Sequence, residues 1–358
     1  MKLSNCIEII SGGTPSTSKS NFWDGDIPWI SIKDFNNSFK YIYKTEKSIT
    51  KQGLEKSSTN MLYKNDIIIS ARGTVGCLAQ IYYPMAFNQS CYGIRTINKD
   101  LMQNYLYYWL IANIDKFKKQ THGAVFDTIT KSTFDNIEIN YPSLVMQQHI
   151  VDTVGSLDDK IENNNKIIIK LEELLNLKFK NIYSDALKTG ITINLNDIVN
   201  LKTGKKDANA ANENGIYPFF TCSEKESNID VYSFNQEAIL IAGNGNMSVK
   251  YFNGKFDAYQ RTYVISSSKY FYYLYLYYKN FIGNISVGAK GSVIKFLTKS
   301  MLLDIDLPIL DNITMQRFES DIQKILNYEL RLSEENKKLN LLKEKYLKRF
   351  FWFLYFIN

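Results

Sequence analysis

Thr121 to Ser132 reads THGAVFDTITKS, and Ala289 to Ser300, 168 residues further on, reads AKGSVIKFLTKS. The same offset carries Tyr105-Leu106-Tyr107 onto Tyr273-Leu274-Tyr275, Ile137-Glu138-Ile139 onto Ile305-Asp306-Leu307, and Gln148 onto Gln316. Upstream the register slips to 172, where Ile67-Ile68-Ile69 answers Ile239-Leu240-Ile241, as happens when loops differ in length between two copies of one fold. A single long period present twice describes an internal pseudo-twofold repeat, whereas short periods would describe a solenoid. A chain so built suits a target that is itself two half-sites.

Helical periodicity is strongest just after the repeated blocks. Behind Pro142, with Ser143 as N-cap, Ile150, Val154, Leu157, Ile161, Asn164, Ile168, Leu171, Leu175, Lys178 and Ile182 step by alternating fours and threes, the spacing of a coiled-coil seam. Adding the repeat offset gives Phe318, Ile322, Ile325, Glu329, Leu332, Asn336, Leu339, Lys343, Tyr346 and Phe350, again mostly apolar. Polar residues interrupt the two seams at different levels, Asn164 in one and Glu329, Asn336 and Lys343 in the other, which costs stability but fixes register and partner. The two helices are expected to pair with each other, because neither half offers another helix of comparable length; the alternative is that each packs only on its own globule.

The blocks before and between these helices are of mixed pattern. Asp66 to Ser70, Tyr92 to Ile97 and Glu237 to Ala242 read as strands, and Leu101 to Lys118 and Tyr270 to Phe281 as one helix per copy. The expected fold class is therefore α+β: two mixed α/β globules joined by two long helices, with an internal pseudo-twofold repeat. The tyrosines of 105–109 and 272–278 could stack on bases, but at helical spacing they read as core and rim.

Bulk composition sets outer limits. The 358 residues suffice for two domains with real cores, and 45% hydrophobic and 22% charged residues are ordinary for a globular protein. The longest apolar run, Phe350 to Ile357, is too short to span a bilayer, no signal peptide is visible, and a cytoplasmic location is expected. Cys6, Cys77, Cys91 and Cys222 form no CxxC pair, and His122 and His149 lack ligand spacing, so no metal site is indicated. The net charge of +7 is compatible with nucleic-acid binding and equally with simple solubility.

No phosphate loop, HExxH, GxSxG or Asp/Asn-Pro-Pro-aromatic motif occurs, which points away from an enzyme. Loops rich in Gly, Ser, Thr, Asn and Lys instead recur in pairs. The first copy has 11–16, 31–34, 72–74 and 122–123; the second has 202–206, 221–223, 243–246 and 290–292. Taken one at a time such loops are connecting turns. As repeated pairs they suit nucleic acid, since glycine-turn amides, hydroxyls and lysines contact phosphate while Arg, Lys, Asn and Gln read base edges.

With these residues in place the sequence resembles the specificity subunits of type I restriction-modification systems. Ile10-Ser11-Gly12-Gly13-Thr14-Pro15-Ser16, Ile27-Pro28-Trp29-Ile30, Lys33-Asp34, Ile69-Ser70-Ala71-Arg72-Gly73-Thr74-Val75-Gly76, and Pro142 ahead of Gln147-Gln148-His149-Ile150 carry the resemblance. It covers essentially the whole chain in the family's order. It implies a target recognition domain at 1–142, a central conserved helix at 143–188, a second recognition domain at 189–308 and a distal conserved helix at 309–358, with the helices antiparallel as a spacer. It also implies no catalysis and no cofactor in this chain. The partners it implies are double-stranded DNA, two modification (methyltransferase) subunits and, in some assemblies, restriction subunits, with S-adenosylmethionine, ATP and Mg2+ expected on those partner subunits.

A helix from Ser143 to Ala186 would be on the order of 65 Å long at 1.5 Å per residue, enough to address half-sites one to two turns of DNA apart at about 34 to 36 Å per turn. Because the paired loops differ in sequence, the target should be asymmetric. Base-reading candidates are Lys33, Arg72, Asn244, Asn246 and Arg261; phosphate candidates are Thr14, Ser16, Lys19, Lys205, Lys206 and Lys290. The helical interface candidates are Ile150, Val154, Leu157, Ile161, Asn164, Ile168, Leu171, Leu175, Ile322, Ile325, Leu332, Leu339 and Tyr346. Two departures stand out. The second copy shows Thr203-Gly204-Lys205-Lys206 where the first has Gly-Gly-Thr-Pro, and Phe350 to Ile357 is unusually hydrophobic for the family, as a cap on the coil, a subunit contact or an altered gene end. A stand-alone nuclease with a scattered site and a coiled-coil adaptor without DNA specificity remain the competing readings.

Overall fold

The computed structural model describes residues 1–35, 39–121, 128–223, 225–245, 247–285 and 296–353. The chain divides into two compact units, Met1–Ile167 with Leu332–Asn358, and Ile168–Arg331. In the first unit the elements are β1 (Ile7–Ser11), β2 (Trp23–Ile30), β3 (Tyr41–Ile42), β4 (Lys47–Ile49), α1 (Lys51–Glu55), β5 (Met61–Leu62), β6 (Ile67–Ser70), β7 (Leu78–Ile81), β8 (Met85–Phe87), β9 (Cys91–Thr96), α2 (Gln103–Thr121), α3 (Lys131–Asp135) and the start of α4 (Leu144–Thr189). They form a five-stranded sheet, β1-β9-β6-β7-β3, and a four-stranded sheet, β4-β2-β8-β5.

β6 explains the arrangement. It is a run of isoleucines buried on both faces, paired with β9 on one side and β7 on the other. Alternation sends Ile67 and Ile69 into a core with Tyr105, Leu106 and Trp109 of α2, and sends Ile68 into a second core with Ile30, Leu62, Ile81 and Phe87. The tyrosines of α2 are thus core residues: every side chain from Tyr105 to Leu110 is buried.

The second unit has β10 (Thr192–Asn194), α5 (Leu195–Ile198), β11 (Val199–Thr203), β12 (Tyr217–Phe220), β13 (Ser227–Ile229), β14 (Phe234–Ala242), β15 (Val249–Ala258), β16 (Thr262–Ser267), α6 (Phe271–Ile285), α7 (Lys299–Leu303), β17 (Asp306–Pro308) and the start of α8 (Asn312–Phe353). Its main sheet runs β11-β16-β14-β15-β12-β13, so β11-β16-β14-β15 repeats β1-β9-β6-β7. Ile239 and Ile241 face the α6 core and Leu240 faces Phe220, Phe256 and Val264, the same division as in β6. One ten-residue strand, β15, occupies the place of both β7 and β8; in the first unit Pro84, which has no N–H to donate, lies in the break between those two. The repeated Thr-Lys-Ser also has a local cause, since Thr130 is the N-cap of α3 and Thr298 that of α7.

α4 and α8 each run through both units. In the first unit Asp158 meets Lys343, while Asn164 donates to Glu335 Oε2 and Asn336 Oδ1, both at 2.9 Å, so the helices are antiparallel. In the second, Lys178 meets Asp321 at 3.0 Å, and Leu175 and Phe179 share a core with Phe318 and Ile322. Ile150, Val154, Ile161, Asn164, Leu175, Ile322 and Leu332 are buried, and Leu157, Ile168, Leu171, Ile325, Leu339 and Tyr346 are half-buried.

The seam drifts, however. Phe179 rather than Lys178, and Phe351 rather than Phe350, are the deeply buried residues. A straight α-helix falls behind a strict heptad by about 20° per seven residues, so the four heptads from Ile150 to Lys178 move the buried face by nearly one residue. Phe351 lies against Tyr105 in the first unit's core, which gives the beginning of the C-terminal apolar run a structural role. No described helix is long and apolar enough to cross a membrane.

Gln147, part of the Gln-Gln-His-Ile signature, is fully buried and ties the start of α4 to the start of α2. Its Oε1 accepts from Met102 N at 2.8 Å, and its Nε2 donates to Asp100 O and Pro142 O. Replacing it with Ala orphans these groups and is expected to lower stability by about 1–3 kcal/mol. Urea denaturation of the variant checks this, and an unchanged midpoint would show that the signature residue is not holding the two helices together.

Candidate nucleic-acid interface

In the first unit β1 and β6 both run antiparallel to β9 and so end where β9 begins. β2 and β8 run parallel and end together at Ile30 and Phe87. The loops that follow are locked by backbone bonds: Asn88 N to Ile30 O at 2.9 Å, Ala71 N to Ser90 O at 2.8 Å, and Gly13 N to Phe87 O at 2.9 Å. One edge of the unit therefore gathers 12–19, 31–35, 71–76 and 88–90, and with them Thr14, Ser16, Lys19, Lys33 and Arg72.

Side chains set the loop shapes. Trp29 Nε1 donates to Gly13 O at 3.0 Å and Trp23 Nε1 to Ser16 O at 3.2 Å, pinning 13–16 to the sheet. Asp34 accepts from Ser31 N and Ser31 Oγ, forming the turn that presents Lys33. Ser70 Oγ accepts from Cys77 N and donates to Thr74 O, closing the loop that presents Arg72. Lys19, Lys33 and Arg72 are exposed. Lys33 pairs with Glu46 at 3.5 Å, but both are well exposed, so the pair is weak and easily exchanged for a phosphate or base.

The second unit repeats the construction. β11 and β14 end where β16 begins, and β12 and β15 end together at Phe220 and Ala258. Tyr259 N bonds Phe220 O at 2.9 Å and Gly243 N bonds Arg261 O at 2.8 Å, the counterparts of the Asn88 and Ala71 bonds. Ile129 N to Ala71 O and Leu297 N to Gly243 O complete the match. Lys205, Lys206, Asn244 and Arg261 thus share one edge, with Arg72 and Asn244 in equivalent places. Asn244 Oδ1 is buried without a hydrogen-bond partner among the described residues. Asn246 and Lys290 lie outside the described residues, as do 122–127 and 286–295.

Gly204 is the counterpart of Gly12. A Cβ on Gly12 would sit 2.1 Å from Asn88 O, and one on Gly204 would sit 1.9 Å from Ala258 O. Both glycines let the end of the first strand lie directly on the neighbouring strand end, so the motif that looked lost in the second copy keeps its structural element. Residue type alone named Arg261 but neither the turn 88–90 nor its pairing with 259–261; an offset of 171 aligns FNQSCYGI with AYQRTYVI and would have found the pair.

Each unit thus presents a like-built loop edge bearing cationic and hydroxyl side chains. Comparison with known proteins gives the class: a DNA-specificity protein with two such domains. The family model for the type I restriction modification DNA specificity domain matches residues 1–173 and 191–344, and the chain belongs to that family. It is 27% identical to the type I restriction enzyme MjaIX specificity subunit of Methanocaldococcus jannaschii over 96% of this chain and 89% of that one. It is 42% identical to the EcoDI specificity subunit of Escherichia coli over 33% of this chain and 27% of that one. Among solved structures, the S subunit of a type I restriction-modification system from M. genitalium superposes with a TM-score of 0.66, covering 97% of this chain and 94% of that one at 16% identity, a likeness of fold.

Proposed function

We propose that this chain sets the sequence specificity of a type I restriction-modification complex by reading one half of an asymmetric, two-part DNA site with each unit. The observation that carries this reading is the pair of strand-end loop clusters: the same backbone bonds hold both, while the side chains they present differ. Arg72 and Lys33 serve as base readers in one half, Arg261 and Asn244 in the other, and Thr14, Ser16, Lys19, Lys205 and Lys206 hold phosphates. Catalysis, S-adenosylmethionine, ATP and Mg2+ belong to partner subunits in this reading.

Modification subunits dock on the long helices. Support comes from apolar residues left exposed at positions related by the repeat: Val145 and Ile313 at the helix starts, and Leu174 and Leu342 further along. Two such faces suit two copies of one partner.

The test is a methylation map of host DNA with and without the gene. Loss of one two-part, asymmetric methylated motif on deletion is expected; an unchanged map in a strain that makes the chain and its modification subunits would reject the reading. Arg72→Ala and Arg261→Ala should each relax a single base, in different halves, by about 1–3 kcal/mol per bidentate guanine contact.

A further inference from the structure

The turn ahead of β9 is Asn88-Gln89-Ser90, and the turn ahead of β16 is Tyr259-Gln260-Arg261. Both have three residues, and both are held by the backbone on either side: from the end of β2 or β12 at the first position, and from the residue after β6 or β14 at the third. The middle side chain is therefore placed by the sheet and not by the loop's own softness. It is glutamine in both units and exposed in both, while its neighbours differ. No core demand accounts for that identity.

The loop after the first strand flanks this glutamine each time: Thr14 Oγ1 donates to Gln89 Oε1, and Gln260 N donates to Lys206 O at 2.9 Å. The glutamines thus stand among the residues assigned above to phosphate and base contact. A side-chain amide carries a donor and an acceptor side by side, which matches the N6 and N7 edge of adenine in the major groove.

Resting on the function proposed above, we infer that Gln89 and Gln260 are equivalent base-reading residues, each bidentate to an adenine in its own half-site. The two half-sites, otherwise different, then share one base at the matched position.

The experiment uses the full chain assembled with its modification subunits, selecting from a DNA library randomised in both halves. Gln89→Ala should lower the preference for adenine at one position of one half by about tenfold and leave the other positions alone. Gln260→Ala should do the same in the other half. Gln89→Glu, nearly isosteric, should move that position from adenine toward cytosine, whose N4 amino group a carboxylate accepts; a purely structural glutamine would not produce this shift. Unchanged base preferences, or a uniform loss across all sequences, in variants of a complex whose wild type selects a two-part site would overturn the inference alone. A wild type that selects no two-part site would overturn the function reading together with it.

Discussion

Replacing Asp158 with Leu is expected to cost about 3–5 kcal/mol, far more than the loss of any surface ion pair in the molecule. Its side chain is 8% exposed, Lys343 beside it is 19% exposed, and Tyr108 donates its hydroxyl to the same carboxylate at 2.9 Å. Lys40 lies over the Tyr107 and Tyr108 rings, and burial already holds its ammonium below the usual lysine range. Removing the carboxylate leaves two ammonium groups in a poorly solvated pocket, with only the weaker attraction of Asp159 and Glu162 acting on Lys40. Adding Lys343→Met should recover most of the loss, because a buried pair replaced as a whole is roughly neutral. Lys51→Ala, which breaks an exposed pair with Glu55 at 3.9 Å, serves as the control and should change stability by less than about 1 kcal/mol. Urea unfolding of the four proteins decides. A single variant no weaker than the control would mean that other groups balance Lys40 and Lys343 once Asp158 is gone.

The second large effect concerns specificity. Gly12→Ala should disable the half-site read by the first unit, and Gly204→Ala the half-site read by the second. At both positions the obstacle to a Cβ is a backbone carbonyl, not the tip of a flexible side chain, so relief requires the loop after the first strand to lift off. Overpacking of this kind costs roughly 1–3 kcal/mol in stability, but its larger consequence is displacement of the loops that carry Thr14 or Lys206. Site selection by the assembled complex should show each variant losing discrimination in one half only. Equal damage to both halves, or none, would separate these glycines from the recognition edges.

The repeat was legible where chain length between elements is the same in both copies, from Tyr105 onward and from Tyr273 onward. Upstream it was legible only piecewise, because Ile7 to Ile67 spans more residues than Val199 to Ile239, so the offset that aligns Ile67 with Ile239 does not align Gly12 with Gly204. The helices could be read because an apolar face must recur along them, and the reading erred by one residue at Phe179 and at Phe351, where the true period of the helix departs from the heptad. The loop residues present the opposite case. Lys33, Arg72 and Arg261 could be named by chemistry, but their convergence on one edge per unit comes from strand directions and backbone bonds that no side-chain pattern records. Gln89 went unnoticed for the same reason.

Leu347 and Phe351 share a core with Tyr105, Ile150 and Val154, so the first unit is closed by residues made after the whole of the second. At roughly 5–20 residues per second on the ribosome, residues 168–331 impose a wait on the order of ten to thirty seconds. Throughout it, the part of the first core that Leu347 and Phe351 will cover stands open, and when it ends the second unit has its entire chain while the first still lacks these two residues. Order of synthesis and order of maturation therefore run in opposite directions, and the half made first is the half that depends longest on protection from aggregation.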